Sequence, residues 1–220
     1  MLDIDRLPDR RGAVNALAAR RAMSAADYQL NVVDDCLAAA ELEALQGFVL
    51  RAPWHYGWKS DAKRDLYSYW HIHLAGSLQG PDLDDPDTVR YCDDQLAAAP
   101  HFAPVWALWL AVRAKYLPRH RVIRAYLNGH TYGTEGSIHV DTRYPDQFTV
   151  MLYAHPAWSA DWAGETLFFD DERSNVRAAV LPKPGRLVYF DGRIPHVARA
   201  VTRTCPALRT VVVFKTQRAE

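Results

Sequence analysis

The segment that decides the fold runs from RVIRAYL at residues 121–127 to RTVVVF at residues 209–214. Between these two runs, short stretches of β-branched and aromatic residues alternate with turns rich in Gly and Pro. The intervening runs are SIHV (137–140), QFTVMLY (147–153), ETLFF (165–169), AAVLP (178–182), RLVYF (186–190) and HVARAV (196–201). Eight short strands punctuated by turns are typical of a β-sandwich or jelly roll. We therefore predict an antiparallel double-sheet core over residues 119–217.

The preceding part of the chain, residues 1–118, is expected to be mostly helical and to support this core. Apolar residues recur at helical spacing over 39–50 and over 105–116, and each pattern stops near a proline. A polar stretch rich in Ala and Arg, residues 11–26, is a further helix candidate. Because no linker-like composition separates the halves, we predict one domain over residues 1–220, of the α+β class, with helices packed on one sheet.

The overall composition is that of an ordinary globular chain. Hydrophobic residues make up 49% and charged residues 24% of the 220 residues, which is enough to build a sizeable core. The 26 basic residues balance 26 acidic ones, so there is no general positive field to attract a polyanion. We therefore expect no nucleic-acid partner.

The cysteines and the apolar segments indicate the cellular compartment of the protein. Cys36, Cys92 and Cys205 lie far apart and match neither a disulfide framework nor a zinc motif. Residues 1–12 are charged and lack the apolar stretch of a signal peptide. No apolar run approaches the length of a membrane span. These features predict a cytoplasmic protein without a membrane partner.

The candidate metal ligands begin with His139 and Asp141 at the end of one predicted strand. Residues two apart in a strand point to the same face, so this imidazole and carboxylate are expected to converge. His196, which follows Pro195 and opens a later strand, is the best third ligand. Two histidines and one carboxylate form the facial triad of non-haem iron(II) oxygenases. Three protein ligands leave positions open for a 2-oxo acid and dioxygen, whereas a structural zinc site is closed by four.

Arg209 is the candidate partner of a dicarboxylate bound at that metal. It opens the last strand, where Val211 and Val213 would share its face. One cation on an otherwise apolar row needs an anionic partner, and a guanidinium binds a carboxylate through two parallel hydrogen bonds.

From Val122 to Lys215 the sequence resembles the prolyl-4-hydroxylase-like branch of the iron(II)/2-oxoglutarate-dependent dioxygenases. The resemblance lies in the ordered strings RAYLNGHTYGTEGSIHVD, FTVMLYAHPAW, AGETLFF and LPKPGRLVYFDGRIPHVARAV, followed by Arg209. Arg209 stands thirteen residues after His196 (209 − 196), somewhat further than is usual in the family. The resemblance implies a double-stranded β-helix, which is a jelly roll, and an enzyme that uses iron(II), 2-oxoglutarate and dioxygen.

The same resemblance implies roles for individual residues. His139, Asp141 and His196 would hold iron and carry the catalysis. Arg209 would bind 2-oxoglutarate, and Tyr126 and Tyr153 stand where the family places tyrosines that touch it.

The expected reaction is hydroxylation of an unactivated C–H bond in a small molecule, such as an amino acid or biosynthetic intermediate, with succinate and CO2 as co-products. One alternative is a hydroxylase of prolyl or other residues in a peptide. Alternatives of another class are a non-catalytic jelly-roll binding module and a cupin-type metalloprotein centred on His71 and His73, which also share one strand face.

Overall fold

A computed structural model describes residues 27–78, 85 and 87–219 of the chain. The described residues form ten strands and three α-helices. In chain order these are β1 (Leu30–Val33), α1 (Ala39–Arg51), β2 (His55–Trp58), β3 (Tyr69–Gly76), α2 (Asp93–Ala98), α3 (Ala103–Lys115), β4 (His120–His130), β5 (Gln147–Tyr153), β6 (Thr166–Phe169), β7 (Val176–Val180), β8 (Leu187–Asp191), β9 (His196–Ala198) and β10 (Arg209–Arg218). Among these residues, no helix has both the length and the apolar character needed to cross a bilayer.

The strands form two antiparallel sheets. The large sheet has the order β1-β8-β5-β10-β4-β3-β2, and the small sheet has the order β7-β6-β9. In the large sheet, β10 lies between β4 and β5, which are far from it in sequence. This arrangement of a large and a small sheet, with helices outside, is the predicted α+β jelly-roll architecture.

Helices α1 and α3 cover the outer face of the large sheet. Their buried apolar residues join those of the sheet in one core cluster. Trp109 of α3 is fully buried against Phe214 of β10, and its indole N–H donates to Asp93 at 3.1 Å. Because alternate residues of a strand point to opposite faces, packing Val212 and Phe214 outward turns the other residues of β10 inward.

The inner face of the large sheet carries the candidate site. The strand register places residues of β4 and β5 directly beside those of β10, so their side chains share this face. The cross-strand rows are Arg209 beside His130; Val211 between Asn128 and Tyr153; Val213 between Tyr126 and Met151; and Lys215 between Arg124 and Thr149. Two buried cations, Arg209 and Lys215, thus flank an apolar pair on one strand.

Two sequence-based expectations need correction. The run SIHV (137–140) is not a regular strand: the structure has only an isolated bridge there, between His139 and His196. Secondly, the described residues before 119 are less helical than expected, because β1, β2 and β3 extend the large sheet at both edges. The strand β3 hydrogen-bonds to β4 through its backbone, in agreement with the expectation that His71 and His73 lie on one strand.

Two further expectations remain predictions. The expected helix over 11–26 lies outside the described residues. The assignment of residues 1–220 to one domain also stays a prediction.

Candidate metal and co-substrate site

The structure brings His139, Asp141 and His196 together. One ligand atom of each lies within 4.8 Å of the others, and among the described residues no other group of three possible ligands does so. The backbones of the two histidines form reciprocal hydrogen bonds of 3.1 and 2.9 Å. The Asp141 N–H donates to the carbonyl of Gly192 at 2.8 Å. An irregular segment is therefore tied to the loop before β9 and to its first residue, and this contact replaces the regular strand expected from the sequence.

The orientation of both imidazoles fits a metal site. The Nδ1–H of His139 donates to the carbonyl of Ser137 at 2.8 Å, and that of His196 donates to the carbonyl of Ile194 at 2.9 Å. Since a carbonyl only accepts, each Nδ1 carries the proton, which leaves Nε2 free to bind a metal. The two Nε2 atoms face Asp141 at 3.6 and 3.4 Å. The donor set, its convergence and its second hydrogen-bonded layer therefore suit iron(II).

Burial and charge set the protonation of this cluster. Burial lowers the pKa of His196 to about 4, so this ring is neutral at physiological pH. Burial also acts to lower the pKa of His139, but the hydrogen bond and negative charge of Asp141 raise it above the ordinary value. Burial acts to raise the pKa of Asp141, yet the charge of Lys215, followed by His196 and His139, holds it well below its usual range. The carboxylate is therefore ionised.

Lys215 is a member of the site that the sequence analysis missed. Its Nζ forms an ion pair with Oδ2 of Asp141 and donates to the hydroxyl of Thr149 at 3.1 Å. The Thr149 hydroxyl in turn donates to the same carboxylate oxygen at 2.5 Å. Lys215 is 5% exposed. The signal was present in the sequence, because Lys215 continues the alternation of Arg209, Val211 and Val213 along the inner face.

Arg209 lies at the other end of that row and is 1% exposed. Its Nε donates to the carbonyl of Gly164 at 2.5 Å and its Nη2 to the hydroxyl of Thr166 at 2.8 Å. The guanidinium carbon lies 5.1 Å from the centre of the Tyr153 ring. Burial lowers the pKa of Arg209, but an arginine remains charged in proteins. Within the described residues, no carboxylate forms an ion pair with this cation.

The two predicted tyrosines lie in different environments. Tyr126 lines the same cavity as the candidate metal ligands. Tyr153 is fully buried beside Arg209, and its hydroxyl is 2.8 Å from the hydroxyl of Thr166. Thr166, which the sequence analysis did not single out, therefore links Tyr153 to Arg209 and also lines the cavity.

One cavity of about 310 Å³ connects the candidate ligands with Arg209. The metal candidates and Lys215 lie at one part of its wall, and Arg209 and Thr166 lie at another. A volume of this size is at the lower end of the range for small-molecule sites. The lining of this cavity therefore includes both the candidate ligands and the buried cation Arg209.

His71 and His73 line the cavity from β3 but form no second metal cluster. Nδ1 of His71 lies 2.8 Å from Oδ1 of Asn128, and the His71 ring stacks on Trp58 with 4.0 Å between ring centres. Nε2 of His73 donates to the carbonyl of Gly76 at 2.9 Å. Within the described residues neither histidine belongs to a group of three ligands, so the cupin-type site is not formed.

Comparison with known proteins agrees with this geometry. Residues 124–215 match the family model of the 2OG-Fe(II) oxygenase superfamily. No curated protein matches the chain by sequence.

Solved structures share the fold. An oxidoreductase of the 2OG-Fe(II) oxygenase family from Burkholderia pseudomallei is 16% identical with a TM-score of 0.63, and the match covers 87% of this chain and 86% of that chain. A prolyl-4-hydroxylase from Pseudomonas putida is 16% identical with a TM-score of 0.55, over 89% and 95% of the two chains. The non-heme alpha-ketoglutarate-dependent carbocyclase SnoK from nogalamycin biosynthesis is 11% identical with a TM-score of 0.56, over 88% and 81%.

The matched segment contains both His139 and Asp141, the later His196, and Arg209, in the order expected from the sequence. Residues 124–215 therefore carry the similarity to the 2OG-Fe(II) oxygenase superfamily, and that similarity implies iron(II), 2-oxoglutarate and dioxygen as the cofactor and co-substrates.

Proposed function

We propose that this oxygenase hydroxylates an unactivated C–H bond of a small molecule, with iron held by His139, Asp141 and His196. The observation that carries the proposal is the buried Arg209, which has only neutral hydrogen-bond partners and shares one cavity with these three ligands. A buried cation is costly unless an anion neutralises it. A 2-oxo dicarboxylate supplies that anion at one end and a metal-chelating group at the other.

Three side chains of the protein would hold the iron in position for the reaction. The imidazoles of His139 and His196 and the carboxylate of Asp141 would ligate iron on one face. When bound, iron(II) would supply the activation of dioxygen that converts 2-oxoglutarate to succinate and CO2 and hydroxylates the substrate.

Arg209 would bind the far carboxylate of 2-oxoglutarate through its guanidinium fork. Thr166 orients that guanidinium by accepting from Nη2 at 2.8 Å. Tyr126, on the cavity wall, would offer a neutral hydrogen bond to the co-substrate, and Tyr153 would act beside Arg209 rather than at the cavity surface.

The wall formed by β3 and the start of β4 supports a polar small-molecule substrate. It presents His71, His73 and Arg124 to the cavity. Nε2 of His71 and Nδ1 of His73 are buried and accept no hydrogen bond in the structure. Burial lowers the pKa of both rings, so each offers a lone pair to a substrate N–H or O–H group.

The metal assignment is tested with a matched pair of histidine variants. His139→Ala should lose iron(II) binding because it removes a ligand, whereas His71→Ala, which removes a buried cavity histidine of the same type, should keep it. Iron content after anaerobic loading measures both. Loss in His71→Ala with retention in His139→Ala would replace the proposed ligand set.

The substrate assignment is tested by succinate formation. Purified protein with iron(II), 2-oxoglutarate and dioxygen is supplied with free amino acids and small hydroxy acids, or with proline-containing peptides. Small molecules should stimulate succinate formation and acquire one oxygen atom, seen by mass spectrometry. Stimulation by peptides alone would establish the peptide hydroxylase, and the absence of iron-dependent 2-oxoglutarate turnover would favour a non-catalytic binding module.

A further inference from the structure

We propose that Lys215 neutralises the carboxylate of Asp141 while the protein holds no iron, and that it thereby opposes iron binding. The proposal rests on the proposed iron site and adds a role for a residue outside the ligand set.

The two oxygens of the Asp141 carboxylate have different contacts. Oδ2 receives the ammonium group of Lys215 and the hydroxyl of Thr149, and it lies 3.4 Å from Nε2 of His196. Oδ1 instead faces Nε2 of His139, at 3.6 Å. Two donors therefore hold one oxygen, and the other stays directed toward His139. Lys215 therefore acts on Oδ2, the oxygen that also faces Nε2 of His196.

The low exposure of Asp141 explains why Lys215 stabilises the iron-free protein. The side chain of Asp141 is only 9% exposed. A buried carboxylate without a cation is strongly destabilising, because its loss of hydration is not compensated. Arg124 lies beside Lys215 in the sheet register and faces the same cavity, but Lys215 is the cation in direct contact with Asp141.

Iron(II) changes this balance. Bound iron would itself neutralise Asp141, and a nearby ammonium then opposes the second positive charge. Lys215 should therefore stabilise the iron-free protein more than the iron-bound protein. By the reciprocity of linked equilibria, the same residue must weaken iron binding by the difference.

The test replaces the charge and keeps the length of the side chain. Lys215→Met should lower the melting temperature of the iron-free protein by more than that of the iron-loaded protein. Its iron(II) affinity should rise by about tenfold, within the usual range for coupling between two sites. Affinity is measured anaerobically by competition with a chromogenic chelator. Lys183→Met, which removes an exposed lysine paired with Asp34, should leave the affinity unchanged.

A double variant separates neutralisation from simple packing. Asp141→Asn removes the charge that Lys215 compensates, so Lys215→Met should cost little additional stability in that background when no iron is present. If Lys215→Met fails to fold while Asp141→Asn/Lys215→Met folds, the charge role is supported. If both fail to fold, Lys215 serves packing and the inference is wrong.

The outcomes also distinguish this inference from the proposed function. If wild type binds no iron, the proposed function fails, while the iron-free double-variant comparison still measures the Lys215–Asp141 coupling. If wild type binds iron but Lys215→Met loses the same stability with and without iron and keeps the same affinity, only the neutralising role of Lys215 is overturned.

Discussion

Arg209 and Lys215 are both buried cations on the inner face of β10, but their partners differ. Arg209 donates to the neutral oxygens of Gly164 and Thr166. Lys215 contacts the carboxylate of Asp141 directly. The charge of the partner indicates the role of a buried cation in a cavity. Where the chain supplies the counter-ion, the cation belongs to the scaffold; where it supplies only neutral acceptors, the counter-ion is expected to be a ligand.

The largest expected effect is the loss of iron(II) when Asp141, the anionic partner of Lys215, is removed. Asp141→Ala deletes one of three proposed ligands and leaves Lys215 buried without its partner. Iron(II) occupancy should fall from about one per chain to near zero under conditions that saturate wild type, because the facial triad is incomplete. Iron content after anaerobic loading and desalting measures this.

Asp146→Ala is the matched control. Asp146 lies five residues away, its side chain is 53% exposed, and it pairs with Arg218 on the surface. The Asp146→Ala variant should keep full iron occupancy. Equal, full occupancy in both variants would remove Asp141 from the ligand set.

The next largest effect is expected at Arg209. Arg209→Ala should weaken 2-oxoglutarate binding by ~2–5 kcal/mol, the range for truncating one partner of a buried charge pair. Iron binding should persist, because Arg209 contacts no candidate ligand. Arg209→Lys should recover part of the affinity, since it restores the charge without the planar fork. Calorimetric titration of 2-oxoglutarate, with manganese in place of iron, gives the dissociation constants.

Lys215→Met provides the contrast for this measurement. It should change 2-oxoglutarate affinity much less than Arg209→Ala does. If Lys215→Met is the more damaging, the roles of the two cations are reversed. If neither substitution changes the affinity for 2-oxoglutarate, Arg124, which also lines the cavity, becomes the candidate partner of the far carboxylate of 2-oxoglutarate.

A smaller effect is expected from the threonine that orients Arg209. Thr166→Val keeps the shape of the side chain but removes the oxygen shared by Tyr153 and Arg209. Leaving buried donors without an acceptor should lower the free energy of unfolding by ~1–3 kcal/mol. Saturating 2-oxoglutarate should recover part of this loss by offering Arg209 a new acceptor. Denaturant unfolding with and without 2-oxoglutarate tests this, and an identical loss in both conditions would contradict an Arg209 role.

The smallest effects are expected at the tyrosines. Tyr126→Phe should weaken 2-oxoglutarate binding by about 1 kcal/mol, as expected for one neutral hydrogen bond. Tyr153→Phe should weaken it less, because the Tyr153 hydroxyl lies against Thr166 and the side chain is fully buried. The same titration compares the two variants. A larger loss in Tyr153→Phe would mean that this hydroxyl turns to the co-substrate on binding.

Much of this site follows from short-range features of the chain. The alternation of residues along a strand is enough to place Arg209, Val211 and Val213 on one face. The order of His139, Asp141, His196 and Arg209 is itself a one-dimensional pattern that needs no three-dimensional information. Lys215 obeys the same alternation, but a lysine near the end of a strand fits a solvent-exposed position equally well.

Strand periodicity and residue chemistry are therefore enough to predict the type of fold, the candidate ligands and the cation at the start of β10. Only the tertiary structure decided that β10 lies between β4 and β5, and that His139 pairs with the first residue of β9 instead of ending a regular strand. Pairing between distant segments depends on how two sheets close over a shared core, and no local pattern encodes it. That closure puts Asp141 against Lys215 and leaves Arg209 with neutral partners.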